Sequence, residues 1–377
     1  MSSTDKRGGP GTRIGFFLPD LNGGGAERMT LNLMPALAAL GYAPFLVVGC
    51  RRGSLWPAVP PGTDVVCLES ESWSGMLLGL QRLLRARRPD VLIASMGRCN
   101  MLALWARALT GVKTRIVIRE HVVISALAAL AGGRAAFTPL FYRLFAKWAD
   151  AIVAVSDGVA DDMARLAHVP RTQVQVIYNP VLTPLFETQL AGDVDHPFFA
   201  PDGPPVFLGV GRFEPQKDFA TLIRAFALLR QSRPGKLLLI GEGTLRAELE
   251  VLCRRLNIES DVAFLGFRED RLLYMRRASV FVLPSLMEGF SNVVVEALAA
   301  GTQVVSTDCP SGPRFVLEDG RYGTLVPVGD AAAMARAMGD AVDNPRPMDE
   351  GRRRALAFTA ARAAKKYAKL IEDIGAR

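Results

Sequence analysis

Cysteine, histidine and long apolar runs are scarce in this chain, and each scarcity removes a class of function. The five cysteines (Cys50, Cys67, Cys99, Cys253 and Cys309) are odd in number, scattered and without metal-type spacing. They read as core thiols of a reducing compartment, not as a disulfide framework. The three histidines, His121, His168 and His196, are too dispersed for a zinc site. The apolar stretch near Val122–Ala131 is about half of the ~20 residues that a spanning helix requires, so no transmembrane segment is expected. The first residues, MSSTDKRGGPG, are polar and lack the apolar core of a secretion signal, which makes a cytoplasmic protein the expectation.

What is present is an ordinary globular composition, 50% hydrophobic and 22% charged over 377 residues, long enough for two domains or three. The net charge of +8 is unevenly placed. Residues 1–180 hold 20 Lys/Arg against 12 Asp/Glu, whereas residues 181–377 hold 25 of each. A basic first half is either a soluble surface or a face turned to something anionic, such as phospholipid on a membrane or a phosphate-bearing acceptor. Nucleic acid is not expected, because no recognised binding motif accompanies the charge.

Along the chain, apolar strands alternate with helices. After a disordered tail over residues 1–12, RIGFFLPDL reads as a strand, the glycines up to Gly25 as a loop, and AERMTLNLMPALAALG as an amphipathic helix. Gly24 and Gly25 then stand at a helix N-terminus, where backbone can approach a phosphate, although a tight turn needs glycine anyway. A basic helix over Met76–Arg88 precedes the strand PDVLIASM, and TRIVIREH puts His121 at the carboxyl end of another. Ligands collect at such ends, yet a lone histidine is more often structural. Phe137, Leu140, Phe141, Leu144, Phe145 and Trp148 recur at helical spacing, with Arg134, Arg143 and Lys147 on other faces. A core-packing face is favoured over a membrane-surface helix. The first doubly wound domain is placed at 13–180, a Pro-rich linker at 181–203, a second domain at 204–350 and a terminal helix at 351–377.

The chemistry concentrates in the second half. GRFEPQKDF brings Arg212 and Lys217 to the loop between a strand and a helix. Two cations there can neutralise a diphosphate without a metal, or be ordinary surface charges. IGEG, with Gly241, is a further strand–turn–helix junction, and in FLGF Gly266 and Phe267 end a strand where backbone can contact a flat base. VFVLPSLMEGFSNVVVEALAAGTQVVSTDCPSGP then reads as strand, loop, helix and strand. Glu288 falls just before the helix and Glu296 about two turns in, on a similar azimuth. Gly289, Phe290 and Ser291 bring N–H groups to the helix start, where an anion is favoured.

Taken in order, GGGAER, GRFEPQKDF, IGEGTLRAELE, VAFLGF and SLMEGFSNVVVEALAAGTQVVSTDCPSGP resemble glycosyltransferase family 4. These are retaining, nucleotide-sugar-dependent enzymes of the α/β GT-B fold, in which two Rossmann-like domains face across a cleft and a C-terminal helix packs back on the N-domain. The resemblance implies that Glu288 contacts the transferred sugar and Glu296 the ribose. It implies backbone contacts from Gly289, Phe290, Ser291 and Asn292, and places Gly241, Gly266 and Phe267 in the donor site. It assigns the diphosphate to Arg212 and Lys217, with Gly24 and Gly25 closing over it, and sets His121 near the reaction centre. Gln303 replaces the proline of the family's PVV, which changes a turn only. No cofactor and no metal is implied beyond the nucleotide-sugar co-substrate, with a UDP-sugar favoured.

The expected reaction moves a hexose or N-acetylhexosamine to a saccharide or polyprenyl-diphosphate-linked acceptor in bacterial cell-surface glycan assembly, with GDP-mannose as the alternative donor. A UDP-sugar 2-epimerase would need acid/base groups in a pattern this chain lacks. A non-catalytic nucleotide-sugar-binding protein would be expected to have lost one of Arg212, Lys217 or Glu288, and all three are present.

Overall fold

The apolar runs form two parallel sheets. A computed structural model describes residues 8–131 and 138–376. It divides the chain into a unit 1, running up to Thr183 and resuming at Phe358, and a unit 2, Pro184–Ala357.

Unit 1 follows the order β1 (Arg13–Leu18), α1 (Gly25–Ala38), β2 (Ala43–Val48), β3 (Val65–Cys67), α2 (Trp73–Arg87), β4 (Val91–Ser95) and α3 (Gly97–Thr110). It continues with β5 (Arg115–Glu120), α4 (Ile124–Ala131), α5 (Thr138–Phe145), β6 (Ala151–Ala154), α6 (Asp157–Ala167) and β7 (Val174–Val176). The strands lie in the order β3-β2-β1-β4-β5-β6-β7, paired parallel throughout. Strands covered on both faces must be apolar along their whole length. In β1, every residue after Arg13 is accordingly buried.

Unit 2 comprises α7 (Phe186–Leu190), β8 (Val206–Val210), α8 (Phe219–Arg230), β9 (Lys236–Ile240), α9 (Arg246–Arg255), β10 (Val262–Phe264), α10 (Arg271–Arg277) and β11 (Val280–Leu283). After these come α11 (Asn292–Ala300), β12 (Gln303–Thr307), α12 (Pro313–Val316), β13 (Thr324–Val326), α13 (Ala331–Asp343) and α14 (Met348–Ala355). Its parallel sheet runs β10-β9-β8-β11-β12-β13. Asp218, Asp330 and Ser156 accept backbone N–H groups at the starts of α8, α13 and α6, which fixes where those helices begin.

The basic C-terminal stretch, expected as one helix, is two. A 3-10 turn over Leu356–Phe358 separates α14, in unit 2, from α15 (Ala360–Gly375), in unit 1. Thr359 caps α15 through Arg362 N–H. Ala363, Ala364, Tyr367, Leu370, Ile371 and Ile374, spaced at i, i+3 and i+4, join the core beside α1 and β1. The chain leaves and re-enters unit 1 at one place, where Val181 N–H donates to the Phe358 carbonyl at 3.0 Å.

Three further details depart from the sequence expectations. Residues 184–203 pack with unit 2, because Phe186 and Leu190 bury one face of α7 against α10. Gly8–Thr12 are ordered: Gly11 N–H donates to Gly41 O at 2.7 Å and Tyr42 Oη to Gly8 O at 3.1 Å. The expected apolar helix face divides. Phe141 is buried, whereas Leu140, Leu144 and Trp148 are 52%, 55% and 43% exposed. Phe137 and Arg134 lie outside the described residues.

Candidate active site

In unit 2 the chain runs from β8 to β9 on one side and from β11 to β12 on the other, so the carboxyl ends of the neighbouring strands β8 and β11 mark a topological switch point. The loops that follow those two strands carry the paired charges. Leu286 N–H donates to the Gln216 carbonyl at 2.9 Å and stitches the loops together. Lys217 Nζ and Ser285 Oγ each donate to Glu288 Oε1 at 2.6 Å. Glu288 is 9% exposed, a burial that a carboxylate tolerates when a cation and a hydroxyl both face it. Arg212, on the same loop as Lys217, is exposed and makes no ion pair among the described residues. It supplies the positive charge that the neutralised Lys217–Glu288 pair does not.

Glu296 turns elsewhere. It is 4% exposed and receives both Arg271 Nε–H, at 3.0 Å, and Arg271 Nη2–H, at 2.5 Å. The expectation of two carboxylates on a similar azimuth is therefore corrected. Glu288 lies in the loop before α11, where helical spacing does not apply, and the two carboxylates meet different cations. Burial alone would lower the Arg271 guanidinium, but the charge and hydrogen bonds of Glu296 carry it above its ordinary value.

The loops of β8, β9 and β10 meet backbone to backbone. Gly241 N–H donates to Gly266 O at 2.9 Å, and a Cβ on Gly241 would stand 1.8 Å from Gly211 O. With φ at +144°, only glycine fits there. Gly241 thus acts by close approach, and its N–H is already engaged. Phe267, next to Gly266, is 41% exposed. Gly289 and Phe290 are buried, and Ser311 Oγ donates to Gly289 O at 3.1 Å. Ser291 precedes α11 at φ +73°, its Oγ buried without a hydrogen-bond partner, and Asn292 opens the helix. Gly312, at φ +99°, leaves no room for a side chain against Phe290 and Ser291.

In unit 1 the turn after β1 carries Gly24 and Gly25 at the start of α1. A Cβ on Gly24 would lie 2.4 Å from Oε2 of Glu27, a buried carboxylate in the first turn of α1. His121 follows β5, with both ring nitrogens buried and without a hydrogen-bond partner. Burial first, then the neighbouring Arg119 charge, holds its imidazole well below the ordinary pKa, in the neutral form. Arg119 is itself fully buried. It donates to Asn179 Oδ1 at 3.0 Å and packs over the Tyr367 ring of α15. Glu120, on the opposite face of β5, accepts from Asn100 Nδ2 at 2.6 Å and from Tyr142 Oη. Burial pushes its carboxyl up to about 7, against the pull of those donors. Among the described residues no three His, Cys, Asp or Glu side chains gather in a way that could hold a metal ion.

The family profile described as Glycosyltransferase Family 4 matches residues 23–183, and that described as Glycosyl transferases group 1 matches residues 204–344. The lipopolysaccharide core biosynthesis glycosyltransferase LpsE of Rhizobium meliloti (strain 1021) is 30% identical over 327 residues, 84% of each chain. The chain is a family 4 glycosyltransferase. A Campylobacter jejuni relative of this family 4 enzyme, N-acetylgalactosamine-N,N'-diacetylbacillosaminyl-diphospho-undecaprenol 4-alpha-N-acetylgalactosaminyltransferase, is 29% identical over 335 residues, 86% of this chain and 89% of its own. Anabaena Alr3699/HepE, solved with UDP and glucose, superposes with a TM-score of 0.75 at 20% identity, covering 95% of this chain and 98% of that one. Both units are therefore those of the GT-B fold.

Several neighbours in this family 4 chain went unnoticed in the sequence. Ser285 had a weak signal, three residues before Glu288. Arg271 had none, because it sits among Arg268, Arg276 and Arg277, each of which turns to a partner elsewhere, Asp270, Gly192 O and Asp193 respectively. Asn100 and Tyr142 reach Glu120 across 20 and 22 residues, a separation that no local pattern reports.

Proposed function

We propose that this glycosyltransferase takes a hexose or N-acetylhexosamine from a nucleotide sugar, with a UDP-sugar favoured, and transfers it with retention and without a metal to a saccharide on a lipid carrier. The carrying observation is the Lys217–Glu288 pair at the switch point of unit 2, with unpaired Arg212 on the same loop. A departing diphosphate attracts Arg212 and competes for Lys217. Glu288, held through Oε1, has Oε2 to accept from sugar hydroxyls. The anomeric C–O bond breaks as negative charge passes to the nucleoside diphosphate. The acceptor oxygen bonds to the anomeric carbon on the same face, and its proton goes to the leaving phosphate. His121 contributes a neutral imidazole to this chemistry.

A lipid-linked acceptor is supported by two facts. The Campylobacter relative is named for a diphospho-undecaprenol substrate. In unit 1, Leu140, Leu144 and Trp148 are exposed beside exposed Arg143 and Lys147, an apolar strip with basic neighbours that suits an anionic membrane surface. No helix among the described residues is long and apolar enough to cross a membrane, so the contact proposed is peripheral.

The test is a donor screen of UDP- and GDP-sugars against lipid extract, with and without EDTA, and Lys217→Ala as control. Nucleoside diphosphate released only with acceptor, and an α-linked product from an α-linked donor, are expected. GDP-mannose outperforming every UDP-sugar would move the reading to a mannosyltransferase. Sugar isomerisation without acceptor would sink transfer, and loss of activity with EDTA would sink metal independence.

A further inference from the structure

Glu296 is more tightly held than a hydroxyl-binding carboxylate needs to be. Arg271 opens α10 and Glu296 lies in α11, and the two helices pack together. The guanidinium grips both carboxylate oxygens in a fork, Nε–H to Oε2 at 3.0 Å and Nη2–H to Oε1 at 2.5 Å. The Arg271 and Glu296 side chains are only 12% and 6% exposed. A carboxylate has about four acceptor directions, and a guanidinium fork uses two of them, one on each oxygen. The other two remain, with their orientation set by a planar partner that cannot rotate independently. Two acceptors at a fixed separation suit two adjacent hydroxyls.

We infer that Arg271 is a positioning residue for the ribose of the donor nucleotide: it clamps Glu296 so that the carboxylate's remaining acceptor directions meet the 2′- and 3′-hydroxyls together. The inference rests on the donor-site reading of unit 2. Lysine at 271 would keep the charge but lose the fork, and methionine would lose both. Arg271 touches neither sugar nor phosphate in this role. Its effect is therefore on nucleotide affinity and on recognition of the ribose.

The test compares, by calorimetry, the dissociation constants of the 2′-hydroxy and 2′-deoxy forms of whichever of UDP and GDP the wild type binds more tightly. Wild type, Arg271→Lys and Arg271→Met are measured, with thermal melting of each. Wild type is expected to prefer the ribo form by about ten-fold, the size of one hydrogen bond to a charged acceptor. Arg271→Met is expected within about two-fold of no preference, with Arg271→Lys between. A wild-type preference retained by the folded variants would overturn the inference and leave the pair as a brace between α10 and α11. If Arg271→Met does not fold, Arg271→Lys decides: full discrimination in it overturns the inference, and a reduced ratio supports it. A wild type that binds UDP or GDP without ribose preference sinks the inference alone. One that binds neither sinks the donor-site reading, and the inference with it.

Discussion

In unit 2 each buried site carboxylate meets a cation, Glu288 with Lys217 and Glu296 with Arg271. In unit 1 the buried ionisable groups at the end of β5 meet neutral partners. Glu120 has Asn100 and Tyr142, Arg119 has Asn179, and His121 has no side-chain partner among the described residues. Pairing lets charge stay buried and keeps it available for exchange, since an arriving anion can draw Lys217 partly from Glu288. Burial without an opposite charge instead favours the neutral imidazole of His121 and the protonated carboxyl of Glu120, while the Arg119 guanidinium stays charged. On the function proposed above, the paired half is the one that meets phosphate charge.

The largest effect is expected from breaking a pair. Lys217→Ala leaves Glu288 buried beside Ser285 alone and should cost at least about 10³-fold in transfer rate, roughly 4 kcal/mol. Melting temperature should fall as well. Adding Glu288→Gln should restore stability without restoring activity, and recovery of both would mean the pair is structural only.

The neutral half is probed through Glu120. Its folded pKa of about 7 lies above the ordinary 4.5, so between those values the folded state holds a proton that the unfolded state releases. Stability then falls as pH rises through this window, by up to about 3 kcal/mol. Glu120→Gln should flatten that slope: similar to wild type at pH near 5 and more stable near 8, by urea denaturation. A variant with the wild-type slope would show that Glu120 is not the titrating group.

His121→Leu separates function from stability in the same half. Because neither ring nitrogen has a hydrogen-bond partner, an apolar replacement should leave unfolding stability unchanged or raised. Transfer should drop about 100-fold if the imidazole serves the reaction. Unchanged turnover would remove His121 from the mechanism. The smallest effect belongs to the surface of unit 1. Leu140→Ser with Leu144→Ser should change stability by less than about 0.5 kcal/mol while reducing co-sedimentation with anionic vesicles, and equal vesicle binding would remove this strip from the membrane proposal.

How much of this was legible varies by element. α8 is a run of apolar residues behind an Asp218 cap, and both its ends could be read directly from the sequence. Gly351–Ile374 read as one helix because its composition is uniformly Ala-rich and basic. The break at Leu356–Phe358 follows from the chain's return to unit 1, which composition does not record. The polar tail over Gly8–Thr12 was missed because its order comes from Gly41 and Tyr42, some thirty residues away.

By itself, the sequence determined the alternation of strands and helices, the parallel sheets and the residues around Glu288. Strands covered on both faces must be continuously apolar, and loops at their carboxyl ends must carry the polar chemistry. Tertiary structure alone decided which charge meets which. Arg271 is one arginine of four in a ten-residue stretch, and only the packing of α10 on α11 turns it toward Glu296. Likewise Glu120 owes its raised pKa to complete burial beside α3 and α5, because desolvation depends on what surrounds a group in space.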